Sequence, residues 1–378
     1  MKINKLISLI IITLIILFYS CEKDEVELYP QSDFISEGQW EGEYWPTNGW
    51  RTCKPEEVGM DSKKLAELNE EVQTLLELHI DVHNILIIKD GYIVAEQYYS
   101  DEYGRDNLHS IHSCTKSITS ALTGIAIKHG YIADLNQKMV DFFSEYEIEN
   151  LTEEKQQITL KHLLTMSAGL EWYELEFLYS DERNTFRDFA DSDNRVKFVL
   201  DRPMLSIPGE EYSYNTGISH VLSAILQKSI GTRLDSFAVK NLFKPLGIND
   251  YYWPYDAHGV SYGGNGMRLT SRDMAKFGYL YLKNGVWGNR QIVPEYWVQA
   301  SQQKHVKRKY ISDNFYGYHW WVSNQNSYSA VGFAGQWISI FPQQNLVVVF
   351  NNQFKEGDDF QWNTPQRLVH TYILPAIK

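Results

Sequence analysis

Ser113-Cys114-Thr115-Lys116 decides the reading of this chain, because it sets a hydroxyl and an amine three positions apart where a helical pattern begins. Ile118, Ala121, Leu122, Ile125 and Ala126 follow in the i, i+3, i+4, i+7, i+8 rhythm of one buried stripe, and Gly130 stands where a left-handed C-terminal cap belongs. Positions three apart share a helix face, so the Lys116 amine can reach the Ser113 oxygen. A helix N-terminus leaves N–H groups unpaired and favours negative charge on an oxygen placed there. The same position suits a serine that only caps the helix, so two readings stand side by side, activated nucleophile and N-cap. Ser-x-x-Lys recurs at Ser20 to Lys23 and at Ser301 to Lys304. The helical context, not the bare pattern, singles out Ser113.

Upstream, Leu65, Leu68, Val72 and Leu75 or Leu76 predict a helix opened by Asp61-Ser62. Residues 84–88 and 92–98, joined at Asp90-Gly91, predict a hairpin. Downstream, residues 158–167 predict a short helix, residues 218–226 a second buried stripe before Gly231, and Thr270 with Asp273 the start of a helix through Leu282. Two strand-like runs between Tyr328 and Gln353 and a closing helix near residues 366–374 complete the pattern. Strands at both ends predict a mixed lobe, about residues 51–108 and 260–378, whose sheet is assembled from distant sequence. An inserted, mainly helical lobe occupies about residues 109–259. Residues 171–213 are long, polar and aromatic, the marks of a functional loop. The glycines Gly263, Gly264 and Gly266 precede a helix but lack the Lys-Ser/Thr ending of a phosphate loop.

At the N-terminus, Lys2 and Lys5, an apolar run over residues 6–19 and then Ser20-Cys21 have the order of a secretory signal. Cys21 sits like the acylated cysteine of a bacterial lipoprotein, with an uncleaved anchor as the other reading. Both place the body outside the cytoplasm. Residues 1–20 are therefore expected to be a signal peptide, 21–50 a polar tether carrying a lipid anchor on Cys21, and 51–378 the exported functional body, too large for one core. A net charge of −13 excludes nucleic acid as a partner, since nothing basic and clustered is present to displace phosphate counterions. Three cysteines are too few for a disulfide scaffold and have no zinc-ligand spacing with histidine. No metal is expected, and Cys53 and Cys114 are read as free thiols.

A serine hydroxyl is a poor nucleophile until a base within about 3 Å takes its proton, and lysine is that base only when its pKa falls from about 10.4. A phenol between them can pass the proton on, with a positive lysine favouring partial phenolate character. Residues 208–217, Pro-Gly-Glu-Glu-Tyr-Ser-Tyr-Asn-Thr-Gly, supply Tyr214 on a turn ahead of a helix. Taken with residues 158–170, 270–277 (Thr-Ser-Arg-Asp-Met-Ala-Lys-Phe), 316–322 (Tyr-Gly-Tyr-His-Trp-Trp-Val) and 332–336 (Gly-Phe-Ala-Gly-Gln), these motifs span nearly the whole body. In this order, the chain resembles the serine β-lactamase and penicillin-binding-protein superfamily, nearest its esterase and 6-aminohexanoate-oligomer-hydrolase branch. The resemblance implies an α/β (α+β) fold, an antiparallel sheet flanked by helices with an inserted helical lobe. It implies that Ser113 attacks a carbonyl, Lys116 accepts its proton, and Tyr214 relays protons to the leaving group. The backbone N–H groups of Ser113 and of Phe333, on an edge strand, would form the oxyanion hole, and water would hydrolyse the acyl-enzyme. The implied partner is a small ester, amide or peptide, with no cofactor.

Two departures bear on substrate. The second motif, commonly Tyr-x-Asn, reads Tyr214-Asn215-Thr216, which leaves Thr216 to contact substrate in place of a carboxamide. The third, commonly opened by Lys or His, reads Ala330-Val331-Gly332. It keeps Gly332 but loses a carboxylate partner worth about 1–3 kcal/mol. An esterase or 6-aminohexanoate-oligomer-hydrolase-like amidase is expected, with a D-Ala-D-Ala carboxypeptidase or β-lactamase as one alternative and a non-catalytic cell-wall-peptide sensor as the other. The loop carrying Glu171, Trp172, Tyr173, Glu174, Glu176, Tyr179 and Asp181 is expected to cover the site mouth. Tyr179 and Asp181 would touch an uncharged or amine-bearing substrate; surface decoration is the plain alternative. His109 and His112 invite a Ser-His-Asp reading, but no Gly-x-Ser-x-Gly surrounds Ser113.

Overall fold

The computed structural model describes residues 34–308, 314–357 and 360–378. The signal, Cys21, the Ser20 to Lys23 pattern and the first part of the tether lie outside these residues. The predicted hairpin forms β1 (Val82–Lys89) and β2 (Tyr92–Tyr98). Asp90 and Gly91 both take positive φ, as a tight two-residue hairpin turn requires. Six later strands join them in one sheet: β3 (Val306–Lys307), β4 (Asn314–Tyr316), β5 (Trp321–Ser323), β6 (Tyr328–Gly332), β7 (Gln336–Phe341) and β8 (Leu346–Asn352). The order across the sheet is β2-β1-β8-β7-β6-β5-β4-β3, with neighbours antiparallel. Pairing of Ile87 with Val348 brings the two ends of the sequence side by side, as the strand pattern predicted.

The continuous apolar reading of β1 and β8 follows from a sheet covered on both faces. Ile85, Ile87, Val348 and Phe350 point into one core beneath helix α1 (Ser62–Glu77) and the C-terminal helical segment. Leu86, Ile88, Val347 and Val349 point into the other, larger core. That core holds α2 (Cys114–Lys128), α3 (Leu160–Leu164), α4 (Thr216–Ile230) and α5 (Ser271–Leu282). The period-two alternation of side chains along a strand thus fixes both layers at once.

Two expectations need correction. The tether was expected to run to residue 50, yet Phe34 is fully buried, Ile35 bridges Ala95, and Ser36 N–H donates to Val94 O at 3.0 Å. The aromatics Phe34, Trp45 and Trp50 bury enough apolar surface to hold this segment against the body, and it covers the exposed edge of β2. Second, α2 was expected to bury one stripe, whereas every residue from Cys114 to Ala126 is buried. Two of its hydroxyls escape the cost of burial by bonding outward: Ser117 Oγ donates to His319 O and Thr119 Oγ1 to Gly263 O, both at 2.7 Å. Gly124 lets the Trp297 ring lie directly on the helix, where a Cβ would stand 2.3 Å from the indole. The helix carrying Ser113 and Lys116 is therefore clamped from all sides.

Candidate active site

Ser113 occupies the position before the first residue of α2, but its hydroxyl caps no backbone N–H. Its oxygen lies 2.9 Å from Lys116 Nζ instead. The N-cap reading is thereby set aside on geometry. At Ser301, the hydroxyl bonds Trp297 O while Lys304 turns to Asn324, so that copy of the pattern makes no pair.

Lys116 is 1% exposed, and its amine has two further neighbours, Thr216 Oγ1 at 2.9 Å and Gly264 O at 2.7 Å. The glycine cluster that precedes α5 owes its composition to this contact, since a Cβ on Gly264 would meet Thr216 O at 2.8 Å and hold the carbonyl away. Burial pulls the Lys116 ammonium down to about 8, opposed by the charge of Glu174. The amine stands 4.7 Å over the ring of Tyr214. Burial, reinforced by Glu174, pushes the Tyr214 phenol well above its ordinary 10, while a hydrogen bond with Ser113 opposes the shift. Burial and the nearby Glu174 thus work against the expected phenolate character.

A pocket of about 370 Å³ opens onto these groups, with Ser113, Tyr214, Gly332 and Phe333 on its wall. Residues 175–179 line its other side, so the loop does border the mouth. Phe333 begins a short turn after β6. That strand is not at the sheet edge, as had been expected, but lies between β7 and β5. Its ladder with β5 stops at Ser329, which leaves Ala330 to Gly332 paired on the β7 side alone and open toward the pocket.

The remaining expected site residues divide. Tyr179 lines the pocket, and its hydroxyl donates to Glu174 at 3.1 Å. Asp181 is off the pocket wall and forms a two-pronged pair with Arg183, so it offers no free carboxylate to substrate. Thr216 stands behind Lys116 and bonds Glu174 rather than facing the opening. Asn215 caps α4 through Ile218 N–H. The acidic character expected of the loop is largely consumed, because Glu171 pairs with Arg202 and Glu174 is buried. His109 bonds His83 and Ser110 O, and the His112 ring stands edge-on to Phe333. Burial pushes both rings down to about 4, and neither bonds Ser113, which removes the triad reading. Cys53 and Cys114 are free, buried thiols.

Two residues carry more than the sequence suggested. Glu174, previously one acid among three in the loop, is 1% exposed and accepts from Trp172 Nε1, Tyr179 Oη, Thr216 N–H and Thr216 Oγ1. Arg308, just after β3, lines the pocket, its guanidinium 4.3 Å from the centre of the Trp321 ring. Among the described residues no carboxylate pairs with it. The pocket therefore does hold a cation, supplied from the segment after β3 rather than from the strand that lacks one.

The family model described as Beta-lactamase matches residues 68–371. The chain belongs to the Beta-lactamase family. Within that family it is similar to a 6-aminohexanoate-dimer hydrolase of Paenarthrobacter ureafaciens, 22% identical over 296 residues that cover 74% of each chain. Among solved structures, EstCE1, a hydrolase with promiscuous acyltransferase activity, superposes with a TM-score of 0.68 at 16% identity, covering 82% of this chain and 98% of its own. An octameric penicillin-binding protein homologue from Pyrococcus abyssi superposes with a TM-score of 0.65 at 19% identity, covering 82% and 76%. Both structural likenesses concern the fold, the antiparallel sheet with its helical layers. This Beta-lactamase family member is a serine hydrolase, and its Ser-x-x-Lys helix is the one clamped in the larger core.

Proposed function

We propose that this serine hydrolase cleaves an ester or amide through a covalent acyl-enzyme on Ser113, with Lys116 as base and Tyr214 as proton donor to the leaving group. The observation that carries the reading is the set of neighbours around the Lys116 amine. A neutral amine has two N–H donors and one lone pair. Gly264 O only accepts. Thr216 spends its one proton on Glu174 Oε1 at 2.5 Å and so also accepts from the amine. The lone pair is left for the Ser113 hydroxyl, 2.9 Å away.

In the reaction, the Ser113 proton passes to Lys116 as the oxygen bonds the carbonyl carbon. Backbone N–H groups at Ser113 and Phe333 are suited to receive the developing oxyanion. As the C–N or C–O bond breaks, the protonated Tyr214 hands its proton to the leaving group and recovers one from the lysinium. Water then attacks the ester of Ser113, its proton taken by Lys116, and the serine is released.

Arg308 supports a substrate that carries an acid group, such as an amide of a linear amino acid. The similarity to a 6-aminohexanoate-dimer hydrolase points the same way. Turnover of 6-aminohexanoate dimer or of p-nitrophenyl esters, with nitrocefin and D-Ala-D-Ala peptides slower, is the expected outcome of a substrate panel; the reverse order replaces this reading with that of a β-lactamase or carboxypeptidase. Arg308→Ala is expected to lower the ratio of kcat/KM for a carboxylate substrate over its methyl ester by about 10- to 100-fold, the scale of one charge-assisted hydrogen bond. An unchanged ratio removes Arg308 from substrate recognition. Export and lipid anchoring belong to the same proposal. Incorporation of labelled fatty acid into the chain, abolished by Cys21→Ser, is the expected result, and labelling that survives this substitution contradicts it.

A further inference from the structure

We propose that Glu174 is a positioning residue that acts through Thr216 to aim the lone pair of Lys116 at Ser113, an inference that rests on the hydrolase reading above.

Glu174 comes from the loop bordering the pocket, not from any of the helices that carry the reacting groups. A carboxylate this deeply buried persists only if its oxygens are satisfied. They are, and in a divided way. Oε2 accepts from Trp172 Nε1 and from Thr216 N–H, both at 2.8 Å, which fixes the carboxylate against the start of α4. Oε1 accepts from Tyr179 Oη at 3.1 Å and from Thr216 Oγ1 at 2.5 Å. The last contact is as short as a charge-assisted O–H···O⁻ bond should be.

Its consequence is directional. A threonine hydroxyl owns a single proton, and an ionised carboxylate owns none, so that proton must lie between Oγ1 and Oε1. Thr216 can then offer Lys116 only lone pairs. Without Glu174 the Thr216 proton is free to turn toward the amine and occupy the lone pair that Ser113 needs. The carboxylate thus selects, at one atom's remove, which hydroxyl the base deprotonates. A carboxamide at position 216 presents an NH₂ group and a carbonyl together and cannot play this part in the same way. Threonine at the end of the second motif is accounted for by the carboxylate behind it.

Glu174 also bears on protonation. Its charge supports the ammonium of Lys116 against desolvation, so that removing it lowers the lysine further. The other titratable groups that act on Lys116 or face it are Cys114, Tyr214, His112 and His319. Burial raises the first two and pushes the histidines down to about 4 and about 3, so all four stay neutral between pH 5.5 and about 9, and none supplies the charge in place of Glu174.

The test is the pH profile of kcat/KM on p-nitrophenyl butyrate, a neutral probe, from about pH 5.5 to about pH 9 for wild type, Glu174→Gln, Thr216→Val and Thr216→Ser. Glu174→Gln is expected to move the acid limb to lower pH and to reduce the plateau about 10- to 100-fold. Thr216→Val, which keeps the Glu174 charge but takes an acceptor oxygen from the ammonium, is expected to move the limb the same way and to lower the plateau, and Thr216→Ser, which keeps the relaying hydroxyl, to restore the wild-type limb. A reduced plateau with an unmoved limb in both Glu174→Gln and Thr216→Val overturns the inference, because a merely structural role lowers rate without retuning the base. Should Glu174→Gln not fold, the Thr216 pair decides alone: identical profiles for Val and Ser overturn the proposal. Labelling of wild-type Ser113 by a fluorophosphonate separates the two levels. Labelled Ser113 with unmoved limbs defeats only the Glu174 relay, whereas absent labelling defeats the hydrolase reading beneath it.

Discussion

Ser113→Ala will lower kcat by a factor of about 10⁴ or more while leaving the fold's stability nearly unchanged. The first half follows from chemistry: without the hydroxyl no acyl-enzyme forms, and oxyanion contacts and binding alone retain only residual acceleration. The second half follows from the helix terminus. A serine that capped α2 through its side chain would cost about 1 kcal/mol on replacement by alanine. Ser113 makes no such bond. Steady-state kinetics paired with thermal unfolding check both halves. A large activity loss matched by a comparable loss of stability would return the residue to a capping role.

The second large effect is expected at Lys116. Methionine keeps the length of the side chain without its nitrogen, and Lys116→Met will reduce kcat/KM by about 10³- to 10⁴-fold, the scale expected for loss of a positioned base. In the wild type only the neutral amine is competent, so activity must rise with pH and reach half its plateau near the lysine's value of about 8. At pH 7 about a tenth of the enzyme carries the active form. The sign matters: protonation below pH 8 removes the base, so the limb descends toward acid. Lys116→Met should leave a small residual rate with no limb near pH 8. An unchanged limb in that variant would assign the titration to another group.

What was legible in the sequence follows the range of the interaction. Ser113 and Lys116 lie one helical turn apart, and a local period is enough to pair them. The hairpin was equally local, alternation broken by Asp90-Gly91. Tyr214 stands about a hundred positions away and was accessible only through resemblance. Glu174 was not separable from Glu171 and Glu176, because what distinguishes it is burial against Thr216, a long-range fact. Arg308 gave no signal either: a single arginine after a two-residue strand looks like any surface cation until its side chain is seen to line the pocket. The polar residues of α2 misled in another way. Only one stripe was expected to be buried, but loops at His319 and Gly263 meet the hydroxyls of Ser117 and Thr119, and residues 114–126 are all buried. Physical chemistry dictates that buried hydroxyls find partners. It does not say, from sequence, which ones.

The rate at which a fluorophosphonate labels the folded protein, followed against pH and mapped to a residue, tests the central claim most directly. The geometry predicts a single adduct on Ser113, formed with a rate that climbs with pH to a midpoint near 8 and collapses in Lys116→Met. An adduct on another serine, no adduct on folded protein, or a labelling rate flat between about pH 6 and about pH 9 would contradict it.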